Sequence, residues 1–216
     1  MKKLLCPSMM CADYASLKTE MEALEAAGAD LLHIDIMDGT FVPNFGMGLQ
    51  DTEYLCRAAR IPCGVHLMVR RPGDYLELFA SLGAERIIVH VEAEGDTAEQ
   101  LQKIRALGKK AGIAVNPETA FEAVQAFLPL CDEVLAMSVH PGFAGQAFIP
   151  ECAEKVKRFA KESGRYGYEV VLDGACSPER IGSFSKEGVH GFVLGTSALF
   201  GKGRPYAEIL RELRGL

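Results

Sequence analysis

Short apolar runs alternate with amphipathic segments along the whole chain. The runs predict strands over 4–9, 31–36, 63–68, 86–91, 112–116, 133–138, 169–173 and 191–195. Helical spacing is found between them, over 16–27, 75–82, 97–107, 118–127, 150–163 and 178–187, with a last helix over 205–213. Most runs are too continuously apolar for a strand with one wet face, as expected of a parallel sheet covered on both sides. Gly28-Ala29-Asp30 leads into LLHID, Gly83-Ala84-Glu85 into IIVH and Gly188-Val189-His190 into GFVLG. Each glycine ends a helix and a short turn feeds the next buried strand.

Eight βα units spaced by roughly 25 residues predict an α/β fold, a single-domain (β/α)8 TIM barrel over 1–216. An open doubly wound sheet is the rival. No linker, charge block or low-complexity stretch marks a second domain.

In such a barrel, chemistry gathers at the C-terminal ends of the strands. The second strand ends in His33-Ile34-Asp35-Ile36-Met37-Asp38-Gly39, where alternation puts His33 and Asp35 on one side. The third ends in Val65-His66-Leu67-Met68 and the seventh in Val171-Leu172-Asp173-Gly174. A lone histidine there is usually a hydrogen-bonded core residue, and a lone Asp-Gly is usually a turn. Two imidazoles and two carboxylates converging on one rim instead suit a divalent transition metal.

Glycine-rich turns follow the last three strands: Pro141-Gly142-Phe143-Ala144-Gly145-Gln146, Gly174-Ala175 and Gly195-Thr196-Ser197. Glycine lets backbone amides approach an anion, so these turns predict a phosphate site. Met10, Met37, Met68 and Met137 fall near strand ends. They read either as adaptable core packing or as an apolar collar that excludes water.

Composition narrows the partners. The formal net charge is -6, which argues against nucleic acid, whereas a phosphate held by local amides is indifferent to it. After Lys2 and Lys3 the apolar run stops at Pro7-Ser8, too short for a secretory signal, and no stretch reaches membrane-span length. Seven cysteines without a CxxC pair predict reduced thiols in a cytoplasmic protein.

The segments PSMMCADY, HIDIMDGTFVPN, VHLMVRRPGDY, NPET, MSVHPGFAGQAFIPE, LDGACS and GTSALF stand in an order that resembles the ribulose-phosphate 3-epimerases, from about Pro7 to Phe200. The resemblance implies a ribulose-phosphate-binding barrel and inversion at C3 of a phosphorylated ketose through an enediolate. It implies His33, Asp35, His66 and Asp173 as ligands of one zinc, iron, manganese or cobalt ion. Asp35 and Asp173 match the family's catalytic acid and base. Ser8 and His66 match residues at the bound sugar. Gly142, Phe143, Ala144, Gly145, Gly174, Ala175, Gly195, Thr196 and Ser197 match the segments that hold its phosphate. A homo-oligomer, dimer or hexamer, follows by analogy.

Several positions depart from the family's commonest wording. His140 stands for asparagine, Ala144 for glycine, Ala175-Cys176 for a glycine and its neighbour, and Val171 for glutamate. The MMC segment, NPET, PGFAGQ with its Ala144, the Ala175-Cys176 pair and GTSALF resemble the branch that acts on allulose 6-phosphate, which tips the expected substrate toward the six-carbon sugar, with ribulose 5-phosphate as the alternative. His140 reads either as a substrate or outer metal-site contact or as a surface residue. The comparable segment of related decarboxylases and synthases carries a lysine that Asp35-Ile36-Met37-Asp38 lacks. A sugar-phosphate sensor without chemistry is the remote alternative.

Overall fold

The computed structural model describes residues 2–216. Eight strands alternate with eight helices: β1 (Leu4–Pro7), α1 (Leu17–Ala26), β2 (Leu32–Met37), α2 (Leu49–Ala58), β3 (Cys63–Met68), α3 (Leu76–Leu82), β4 (Arg86–His90), α4 (Thr97–Ala106), β5 (Lys110–Val115), α5 (Phe121–Val124), β6 (Glu133–Met137), α6 (Cys152–Tyr166), β7 (Glu169–Asp173), α7 (Pro178–Lys186), β8 (Gly191–Leu194) and α8 (Tyr206–Gly215). The strands form one parallel sheet in the order β1-β8-β7-β6-β5-β4-β3-β2. Between β1 and β2 the barrel closes through a single parallel bridge, Ser8 with His33. Asp30 completes the seam from below: its N–H donates to Leu5 O at 3.0 Å, and its Oδ2 accepts from Leu5 N at 3.0 Å. The fold is a single (β/α)8 barrel, as the periodicity implies.

Burial explains the apolar runs. Every residue of β2, β3, β4, β6 and β8 is buried, because helices cover one face and the barrel interior the other. Ile88, Ala114, Leu135, Met137, Val171 and Val193 form the interior cluster. Gly28, Gly83 and Gly188, the three glycines of the internal echo, all have left-handed backbones, with φ of 89°, 106° and 92°. Among the described residues no helix is long and apolar enough to cross a membrane.

Three local expectations change. The first strand stops at Pro7 rather than Met9, and Met9–Cys11 turns as a 3-10 helix that bends the chain over the barrel mouth. The helix expected over 118–127 shrinks to Phe121–Val124. Its first turn is lost because Lys155 Nζ donates to the carbonyls of Asn116, Pro117 and Thr119, fixing them in a non-helical loop. Helix α2, absent from the expected set, begins where the Asp51 carboxylate accepts from Gly48 N at 3.1 Å.

At the N-terminal end of the barrel, Arg86 Nη1 donates to Glu133 Oε2 at 2.6 Å and Glu169 Oε2 at 2.8 Å. Arg86 and Glu133 are both buried, so removing the cation strands carboxylates in a dry setting. Arg86→Met is expected to lower unfolding free energy by about 3–5 kcal/mol, measured by urea denaturation. An unchanged midpoint would show that this plug does not hold the barrel together.

Candidate functional site

The four residues selected at the strand ends meet. One ligand atom from each of His33, Asp35, His66 and Asp173 lies within 4.8 Å of the others. Register brings them there: His33 and Asp35 alternate along β2, and Asp35 pairs with His66 across the ladder to β3. Asp173 ends β7 on the far side. His66 Nδ1 and His33 Nε2 each stand 3.3 Å from Asp35 Oδ1 and 3.8 Å from Asp173 Oδ2. Neither approach of His33 Nε2 has hydrogen-bond geometry, so this buried nitrogen is left without a partner. A buried orphan nitrogen beside two carboxylates and a second imidazole fits a divalent cation, and the N2O2 donor set suits zinc, manganese, iron or cobalt.

The electrostatics split the two carboxylates. Burial opposes charge on Asp35, but the neighbouring His33 outweighs it and holds its carboxyl well below the usual carboxylate range. Burial pushes Asp173 up to about 6, against the pull of His33 and reinforced by the charge of Asp35. Burial alone would discharge His33, yet Asp35 lifts its pKa to about 9. Burial pushes His66 down to about 3. Ser8 Oγ donates to Asp35 Oδ2 at 2.6 Å and fixes that carboxylate's rotation.

Above this cluster opens a cleft lined by Ser8, Asp35 and Asp173, and by Gly142, Phe143, Ala144, Gly145, Gly174, Ala175, Gly195, Thr196 and Ser197. All the residues expected at the sugar and phosphate therefore face one space except His66, which lies beneath its floor with no exposed surface. The lining includes no lysine or arginine, so a phosphate there would be met by backbone amides and the Thr196 and Ser197 hydroxyls. Met10, Met37, Met68 and Met137 also line the cleft. Three of them are buried, so packing and lining are both their work. Sequence reasoning missed Cys11, Val139 and Cys176 on the lining.

The departures from the family wording are absorbed locally. Val171 packs into the barrel interior. His140 borders the cleft but places Nε2 2.6 Å from Glu118 Oε1, with its side chain 63% exposed. Ala175 keeps the left-handed backbone that a glycine would take freely, φ 46°, at a cost of about 1–2 kcal/mol.

The loop after β2 is anchored from both ends. Asp38 accepts from the N–H groups of Thr40, Phe41 and Arg70, and Asn44 Nδ2 donates to Gly142 O at 2.7 Å, tying this loop to the glycine turn after β6. Gly46 lies so close to β2 that a Cβ would sit 2.3 Å from Asp35 O. Gly46→Ala is expected to destabilise the protein by about 1–3 kcal/mol and to lower metal affinity by shifting Asp35. Thermal unfolding and metal titration check this, and wild-type values in both would contradict it.

Residues 4–200 match the model of the ribulose-phosphate 3 epimerase family. Ribulose-phosphate 3-epimerase of Chlamydia trachomatis is 43% identical over 184 residues, covering 85% of this chain and 77% of that protein. The enzyme of that name from Synechocystis is 38% identical over 97% of this chain and 92% of its own. That from Mycobacterium tuberculosis is 40% identical over 95% and 90%. The chain belongs to the ribulose-phosphate 3-epimerase family. It is an epimerase of the isomerase class that acts on a ketose phosphate, and the family uses a divalent metal. Solved structures confirm the barrel alone: 3-keto-L-gulonate-6-phosphate decarboxylase from Vibrio cholerae superposes with a TM-score of 0.75 at 13% identity, over 100% of this chain and 98% of that one. Phosphoribosyl anthranilate isomerase from Thermococcus kodakaraensis gives 0.69 at 16% identity, over 98% of each.

Proposed function

We propose that this epimerase interconverts D-ribulose 5-phosphate and D-xylulose 5-phosphate, with Asp35 and Asp173 as its acid–base pair. The observation that carries the reading is the convergence of these two carboxylates, from β2 and β7, on one cleft with three glycine-bearing turns beside it. The lean toward allulose 6-phosphate has no support among the relatives named above, all of which carry the five-carbon name. Of the other departures from the family wording, Val171 faces the barrel interior and His140 turns to Glu118.

His33, Asp35, His66 and Asp173 would hold the metal. When bound, it supplies positive charge that stabilises the negative charge developing on the sugar oxygens as C3 loses its proton. Inversion needs one group on each face of C3, which Asp35 and Asp173 provide from opposite walls. Their proton affinities are split, with Asp35 held well below the usual range and Asp173 raised to about 6, so that Asp173 takes up a proton more readily than Asp35. Ser8 keeps Asp35 aimed, the turns after β6, β7 and β8 hold the phosphate, and the methionines keep water from the reacting carbons.

Free thiols at all seven cysteines support a reducing, cytoplasmic setting, and the family resemblance supports a homo-oligomer. Parallel steady-state kinetics on ribulose 5-phosphate and allulose 6-phosphate test the sugar. The five-carbon substrate should lead in kcat/KM by about tenfold or more. Faster turnover of the six-carbon sugar would reverse the assignment.

A further inference from the structure

Behind the metal-type cluster runs a line of polar groups, from the buried His66 and His90 out to the partly exposed Glu92. His66 Nδ1 faces Asp35 and Asp173, whereas its other nitrogen, Nε2, lies 2.8 Å from Nε2 of His90. His90, at the end of β4, in turn puts Nδ1 3.1 Å from Glu92 Oε2. The other oxygen of Glu92 already accepts from Asn116 N at 2.9 Å and from the Thr119 hydroxyl. Both imidazoles are buried, and the Phe41 ring covers His90 with its centroid 4.8 Å away. The two ring-to-ring nitrogens are therefore enclosed, and only the Glu92 end of the line is open to solvent.

We propose that Glu92, acting through His90, sets the tautomer of His66 and thereby turns a lone pair on His66 Nδ1 toward the metal. The inference rests on the metal-site reading given above. Its logic is a count of protons. Two ring nitrogens in contact need one proton between them, one donating and one accepting. An ionised Glu92 only accepts, so His90 Nδ1 carries a proton and donates it. Neutral His90 then has its lone pair on Nε2, which accepts from His66 Nε2–H. Neutral His66 is left with its lone pair on Nδ1, the nitrogen that faces the cluster. The same order sets the Nδ1 lone pair against Asp35 Oδ1 at 3.3 Å, two acceptors face to face, an arrangement that a cation between them relieves. Glu92 and His90 are thus positioning residues, one carboxylate ordering two imidazoles in series.

Glu92→Gln reverses the order without changing the shape. The amide offers one acceptor and one donor where the carboxylate offers two acceptors. With Asn116 N and Thr119 Oγ1 claiming the oxygen, the amide N–H points at His90 Nδ1. His90 must then donate from Nε2, and His66 must carry its proton on Nδ1, where it blocks the metal.

The test uses the full chain in two measurements. Long-range proton–nitrogen NMR of the metal-free protein, labelled at its five histidines, reads each tautomer directly. Chelator competition gives the zinc dissociation constant. Wild type should show protons on His66 Nε2 and His90 Nδ1. Glu92→Gln should move both to the opposite nitrogens and weaken zinc by about 10–100-fold, with Glu92→Asp restoring the wild-type pattern. A wild-type His66 protonated on Nδ1 would overturn the proposal, and so would Glu92→Gln protein with unchanged tautomers and affinity. The wild-type spectrum decides the proton order even if the variant fails to fold. Expected tautomers in a wild-type protein that binds no zinc would count against the metal site while leaving that order in place.

Discussion

Asp35→Asn should lower epimerisation by about 10,000-fold or more while leaving the barrel folded. The change is isosteric, and the residue's backbone stays in the β2–β3 ladder opposite His66. On the proposed reading, what disappears is a charge with two duties: taking or giving the C3 proton and holding the cation. Asp173→Asn should fail on the same scale, because the proposed inversion needs one carboxyl group on each face of C3. Phosphate binding should survive in both variants, since the turns after β6, β7 and β8 that would hold it keep their own backbones. Turnover, far-UV circular dichroism and calorimetric binding of the sugar phosphate together separate lost chemistry from lost structure. Near-normal turnover by either variant would remove the two-base assignment.

Stripping the metal is expected to have a comparable effect by a different route. Dialysis against a chelator should take turnover to the background rate, and zinc, manganese, cobalt or iron should restore it. Without a cation, Asp35 and Asp173 crowd around the same two imidazoles, and His33 Nε2 has no hydrogen-bond partner. Refilling should therefore also stabilise the fold, by about 2.7 kcal/mol at a free metal concentration a hundred times the dissociation constant. A Tm that rises with added metal, together with recovered turnover, is the expected pair of results. Full activity in protein that elemental analysis finds free of metal would contradict the account.

Much of this site was legible in the sequence because its logic is local. Alternation along β2 places His33 and Asp35 together, and the rule that barrels work at their C-terminal rim selects His66 and Asp173 without a structure. The strands over 63–68 and 169–173 match to the residue, the first entered directly after Pro62 and the second left at Gly174. What escaped depends on distant partners. The helix after β5 is shortened by Lys155, 36 to 39 residues away in sequence. His90 and Glu92 satisfy the same strand-end criterion as His66, but VHVEA reads as a strand leading into an acidic loop. Their meaning comes only from contacts with His66, Asn116 and Thr119. The lean toward a six-carbon sugar rested on the wording of short segments, Ala144, Ala175-Cys176 and GTSALF among them, and it finds no support in the relatives named above, all of which carry the five-carbon name.

The most direct test of the central claim is proton NMR of the metal-loaded enzyme in D2O with ribulose 5-phosphate. The two-carboxylate account predicts loss of the C3 proton signal as solvent deuterium enters, together with the appearance of xylulose 5-phosphate. Neither exchange at C3 nor epimer formation, in protein shown to hold its metal, would mean that the paired aspartates at this barrel's mouth do not perform the inversion.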